Sequence, residues 1–144
     1  MDYAGVFAIS AAGMAVERSR VEVAALNLAQ AQTPLEPGGG GYRPLRVVAR
    51  AMPATAFARW IEAEGLASLA PSVEIEASTA GPRLVHEPGH PLANPQGFVA
   101  YPAVDAATEM VGLMQAMRSY EANLAALNTA RTLALKTLEI GRGG

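Results

Sequence analysis

Large apolar residues recur every seven positions near the N-terminus, at Phe7, Met14, Val21 and Leu28, and Ala11, Ala24 and Ala25 fill neighbouring positions on that side. A repeat of seven keeps one stripe on one helix face, so the pattern predicts a helix from about Asp2 to Gln32 with a thin heptad-like seam. Asp2 is suited to cap it, whereas Gly5 and Gly13 weaken its first turns. Pro34 pushes Thr33 out of the α region and stops it. A stronger repeat runs through the C-terminal part. Leu113, Met117, Tyr120, Leu124 and Leu127 follow 4-3-4-3 spacing, Ala134 and Leu138 continue the stripe, and Arg131 interrupts it. Asp105 can cap this second helix, Glu109 sits near its positive end, and Gly141 offers a stop. At about 1.5 Å per residue the helix is roughly 50 Å long.

Between the helices the apolar pattern shortens and alternates. Val73, Ile75 and Ala77 of VEIEA share one face of a strand, and LRVVARAM (45–52), PRLVHE and FVAY read as further short strands. PATAFARWIEAEGLASL fits a short helix or a strand and loop, with Phe57 and Trp60 anchoring a small core. EPGGGGYRP is a connector, since no Gly-Lys-Ser/Thr follows its glycines and no helix opens there. All ten prolines lie between Pro34 and Pro102, which divides the chain into an N-terminal helix (1–33), a β-rich middle module (34–103) and a C-terminal helix (104–144). The expected fold class is α+β: long N- and C-terminal helices pairing as an antiparallel coiled-coil-like unit, with the β-rich module inserted between them.

The length of the last helix has a consequence. It overshoots a compact domain of ~30 Å, and its charges are sparse: Glu109, Arg118, Glu121, Arg131, Lys136 and Glu139. A helix with so little polar surface is buried on more than one side. The N-terminal helix covers one side, and the rest calls for other subunits. The alternative is a two-helix coil packed only on the middle module.

Composition narrows the function classes. With 144 residues and a net charge of -2, the chain fits one ordinary domain without the basic surface that nucleic acid or an anionic membrane attracts. The absence of Cys excludes disulfides and thiolate metal sites. No apolar run reaches the length of a membrane span. The N-terminus opens with Asp2 rather than a basic residue, unlike a cleavable secretory signal, so departure from the cytoplasm requires another route.

HEPGH, residues 86–90, has the letters of the H-E-x-x-H zinc signature. That chemistry needs a helix to set two His on one face around the metal. Pro88 and Gly89 occupy the two interior positions, and an interior Pro costs a helix about 3 kcal/mol. His86 and His90 therefore belong to a turn or strand edge, and no metal, cofactor or catalytic group is assigned. No Ser has a nearby His, and the carboxylates are scattered.

ISAAGMAVERSRVEVAALNLAQAQT resembles the N-terminal helix motif of the bacterial flagellar axial proteins, the rod, hook and hook-associated subunits. GGGYRP with Tyr42 is similar to the segment that follows it in proximal-rod members. EPGHPLANPQGFVAYPAV is similar to their Pro-Gly-His-Pro stretch (Pro88, Gly89, His90, Pro91), which leads through Gly97 into the last helix. That helix keeps an Arg-x-Tyr-Glu-x-Asn core at Arg118, Tyr120, Glu121 and Asn123. The family's first helix usually ends Asn-x-Ala-Asn-Ala-Asn-Thr. Here Asn27 and Thr33 match, but Gln30 and Gln32 replace two Asn, so the helix either runs a turn longer or ends in a different way. Ala103 also stands where the family tends to have Asn. The resemblance covers both ends and the second half of the middle. Residues 52–80 carry none.

The resemblance implies a structural rod subunit in the basal body, spanning the periplasm and exported without a cleaved signal by the flagellar type III apparatus. Its implied partners are copies of itself, other proximal-rod and distal-rod subunits, and the adaptor between the rod base and the MS ring. It implies neither nucleic-acid binding nor membrane insertion. The helix stripes, Phe7 to Leu28 and Leu113 to Leu138, become the expected packing and assembly residues. Two rival readings are a metal-dependent hydrolase using His86 and His90, and a helical export adaptor or chaperone. Metal content separates the first, and concentration-dependent polymer formation the second.

Overall fold

The computed structural model describes residues 3–38, 41–50 and 71–142. Two long helices pack against each other and two small antiparallel sheets lie between them in sequence. The first helix, α1, spans Tyr3–Gln30, and the second, α2, spans Ala106–Arg142. At about 1.5 Å per residue α2 is roughly 55 Å long. Strand β1 (Leu45–Arg50) pairs with β2 (Ser72–Ala77), and β3 (Arg83–His86) with β4 (Phe98–Tyr101). Phe57, Trp60 and the rest of 51–70 lie outside the described residues, as does Asp2.

Helix ends follow local chemistry. The Asp105 carboxylate accepts from the Ala107 amide at 3.2 Å and from the Thr108 hydroxyl, which makes it the N-cap of α2. Those bonds hold its carboxyl below the usual carboxylate range, the Thr108 bond contributing most. Gly141 does not end α2, which runs on to Arg142. The common glycine stop places the Gly itself in the left-handed region, and positive φ among the described residues occurs at Gly38 and Gly97 alone. The exit of α1 takes the second of the two alternatives left open by its Gln residues. The helix ends at Gln30, and Ala31 and Thr33 donate backwards three residues, to Leu28 and Gln30 at 3.3 and 3.1 Å. A tightened last turn satisfies these carbonyls without an Asn side chain.

The chain forms two compact units. One gathers Met1–Ser19, Val48–Glu74 and Ala116–Gly144, the other Arg20–Val47 and Ile75–Gln115. In the second unit, β3 and β4 pair in the register Arg83↔Tyr101 to His86↔Phe98. Val99 is fully buried, and the Leu35 amide donates to the Ala100 carbonyl at 2.8 Å, tying the segment after α1 to β4. In the β1–β2 sheet, Arg46 pairs with Glu76 at 3.2 Å and Arg50 with Glu74 at 3.0 Å. These ion pairs are exposed and contribute little to stability.

Candidate functional site

The helix faces turned inward mix small and polar side chains with a few aliphatic ones. On α1 the buried residues are Ser10, Val16, Val23, Ala24 and Asn27. On α2 the less exposed positions are Glu109, Leu113, Ala116, Asn123, Leu127, Ala130 and Ala134, which keep heptad spacing. Small side chains at a helix contact let the two backbones approach closely. The sequence stripe and this seam coincide only in part. Leu113 and Leu127 are half-buried, as are Phe7, Met14, Val21 and Leu28. Met117, Tyr120, Leu124 and Leu138 point outward, at 49, 38, 41 and 65 % exposure. Arg118 and Glu121 are exposed as well.

Asn123 shows why Gly13 sits where it does. A Cβ at Gly13 would lie 2.9 Å from Asn123 Nδ2 and 3.2 Å from its Cγ and Oδ1. The carboxamide therefore rests on bare backbone. Gly13, which counts as a weakness in an isolated helix, is the space that the family-motif Asn occupies.

A second Asn organises the other unit. Asn27 is 1 % exposed. Its Nδ2 donates to the Leu45 carbonyl at 2.8 Å and to Glu109 Oε1 at 2.9 Å, while its Oδ1 accepts from the Tyr42 hydroxyl at 2.7 Å and the Leu45 amide at 2.9 Å. Burial, and next the nearby Glu109 carboxylate, raise the Tyr42 hydroxyl above its ordinary pKa. Asn27 and Tyr42 were legible as motif residues. Glu109 was legible only as a charge near a helix start, although its position four residues before Leu113 places it on the same face. Gly13 and Leu45 carried no signal of their own.

HEPGH and the residues after it form successive turns joining β3 to β4. His90 N donates to Glu87 O at 3.1 Å, closing a turn with Pro88 and Gly89 at its centre. Ala93 N then donates to His90 O at 3.0 Å, and Gly97 N to Asn94 O at 2.8 Å. His86 ends β3 with its ring edge-on to Phe98. His90 Nδ1 accepts from the Leu92 amide at 3.1 Å, so this nitrogen serves the turn. Gly97 has φ +80, and a Cβ there would meet Pro88 Cβ at 3.1 Å and His86 Nε2 at 3.2 Å. Pro91 and Thr33 are exposed. The described residues contain no cluster of His, Cys, Asp or Glu able to hold a metal.

Known proteins are similar to this sequence along nearly the whole chain. The family of flagellar basal body rod FlgEFG protein C-terminal domains matches residues 96–140. The flagellar basal-body rod protein FlgC of Salmonella typhimurium is 40 % identical over 137 residues, covering 95 % of this chain and 96 % of that protein. FlgC of Yersinia enterocolitica is 36 % identical across 99 % of this chain and 100 % of its own length. FlgC of Bacillus subtilis is 32 % identical across 93 % and 95 %. The chain belongs to the FlgC family. FlgC proteins are named as structural parts of a rod and not as enzymes. In this FlgC-family chain the matched C-terminal region contains Gly97, β4, the Asp105 cap and most of α2, so the match falls on a defined strand–cap–helix unit. Among the described residues no helix is long and apolar enough to cross a membrane.

Proposed function

We propose that the chain is a structural subunit of the flagellar basal-body rod, and that it polymerises through its terminal helices into a torque-transmitting shaft. The observation that carries this reading is the outward face of α2. Met110, Met114, Met117, Leu124, Leu135 and Leu138 all stand exposed on a single helix. Scattered apolar residues on a surface are ordinary, but a run of large ones along about 42 Å of helix is an interaction surface. Inside the chain, Val16, Val23, Leu113 and Leu127, together with Ala, Gly, Ser and Asn, already fill the seam between the helices. The larger side chains are left for neighbours: further copies of this chain and the other proximal- and distal-rod subunits, with the adaptor at the rod base. The subunit reaches the periplasmic rod through the flagellar type III apparatus.

The test uses Leu124→Asp in a strain lacking the wild-type copy. Leu124 is exposed in the single chain, so the variant folds and is exported. A carboxylate placed in an apolar interface without a partner is strongly unfavourable, so the variant fails to enter isolated basal bodies and motility is lost. Glu36→Ala, on the exposed connector, leaves motility intact. Normal motility with Leu124→Asp would show that this face is not an assembly surface.

A further inference from the structure

The Asn27 carboxamide holds two donors and an oxygen with two acceptor sites, and all are occupied. Its partners come from distant parts of the chain. Tyr42 and Leu45 lie 15 and 18 residues away, and Glu109 lies 82 away. The proposed assembly does not use this group, because it is buried inside one unit of the chain.

We propose that Asn27 is a closure lock, which makes the seating of the α2 start on α1 and the seating of the Tyr42–Leu45 segment a single event. The reasoning rests on what happens to a buried amide when one partner leaves. The group loses a hydrogen bond and also keeps an unpaired donor or acceptor away from water, which costs more than the bond itself. With Glu109 withdrawn, an Nδ2 hydrogen is stranded. With β1 withdrawn, the remaining donor and one acceptor site are stranded together. Half-closed states are therefore disfavoured at each step, and the fully closed and open states dominate. Register follows from the same group. A slip of α2 by one turn would bring Asp105 or Leu113 opposite Asn27. The Asp105 carboxylate is engaged as the helix cap, and Leu113 accepts nothing. A single buried Asn sets register in coiled coils by this logic. The lock concerns closure of the chain itself and stands whether or not the helices enter a rod.

Amide hydrogen exchange of the full chain tests it. The Leu45 amide donates to Asn27 Oδ1, whereas Glu109 bonds Asn27 through the other end of the carboxamide. Glu109→Ala should raise the Leu45 exchange rate about tenfold, the effect of one stranded buried bond. The Glu87 amide, which donates to the Gly97 carbonyl in the β3–β4 connection, serves as the internal reference and should not change. Glu109→Gln keeps an acceptor and restores protection. Tyr42→Phe removes one oxygen without removing the ring, and carries the same test if Glu109→Ala does not fold. An unchanged Leu45 rate in these variants would overturn the lock. So would equal acceleration at Leu45 and Glu87, which would reduce Glu109 to a general stabilising residue, or failure of Glu109→Gln to restore protection.

Discussion

Replacing Gly13 with Ala should fail to stabilise α1, contrary to what helix propensity predicts. In an exposed helix interior the change is worth about 0.8–1.0 kcal/mol in favour of Ala. Here the new methyl arrives 2.9 Å from Asn123 Nδ2, with Asn123 Cγ and Oδ1 both at 3.2 Å. Because the whole carboxamide faces the glycine, rotating its end exchanges one close contact for another. Relief requires a change at χ1 or separation of the helices. An off-rotamer side chain costs about 0.5–1.5 kcal/mol, and overpacking typically about 1–3 kcal/mol. The penalty equals or exceeds the propensity gain, so Gly13→Ala should leave stability unchanged or lower it by about 1 kcal/mol. In an Asn123→Ala background the obstruction is gone, and the same Gly13→Ala change should stabilise by about 1 kcal/mol. Urea unfolding of the four proteins, followed by far-ultraviolet circular dichroism, closes the double-mutant cycle. A gain of about 1 kcal/mol from Gly13→Ala in both backgrounds would refute the claim that Asn123 seats on Gly13.

Three further outcomes follow from the same geometry. Leu127→Asp removes a half-buried seam side chain and should cost about 2–5 kcal/mol in chemical denaturation; Leu138→Asp, at 65 % exposure, should stay within about 0.5 kcal/mol in the monomer. Gly97→Ala forces a side chain onto φ +80 beside Pro88 and His86 and should destabilise by about 1–3 kcal/mol, read from the loss of protection in the β3–β4 pair. Asp105 has its pKa lowered in the fold, chiefly by Thr108, so its contribution is fully present above the ordinary carboxylate pKa and is lost as pH falls through the lowered value. Exchange at the Ala107 amide should therefore gain an acid-dependent opening, one that Asp105→Asn abolishes while keeping a cap.

The linear sequence was enough to settle what local chemistry settles. Asp105 starts α2 because a capping carboxylate acts on its own neighbours, and Pro34 sets a limit that α1 does not reach, ending at Gln30. The strand at 72–77 follows the alternating VEIEA run, and those at 45–50, 83–86 and 98–101 follow the other short apolar runs. Pro88 and Gly89 exclude a helix across HEPGH whatever surrounds them. Which side chains meet depends on the fold. Periodicity reports where large apolar groups lie along a helix and says nothing about what covers them. The stripe through Met117, Leu124 and Leu138 is real but faces outward, while Ala116, Asn123 and Ala130 line the inner seam. Close helix approach selects small side chains, and small side chains leave almost no hydrophobic signal. Asn27 makes the same point for polar groups. Its partners lie 15, 18 and 82 residues away, and a buried amide is tolerated only where folding brings all of them to it at once.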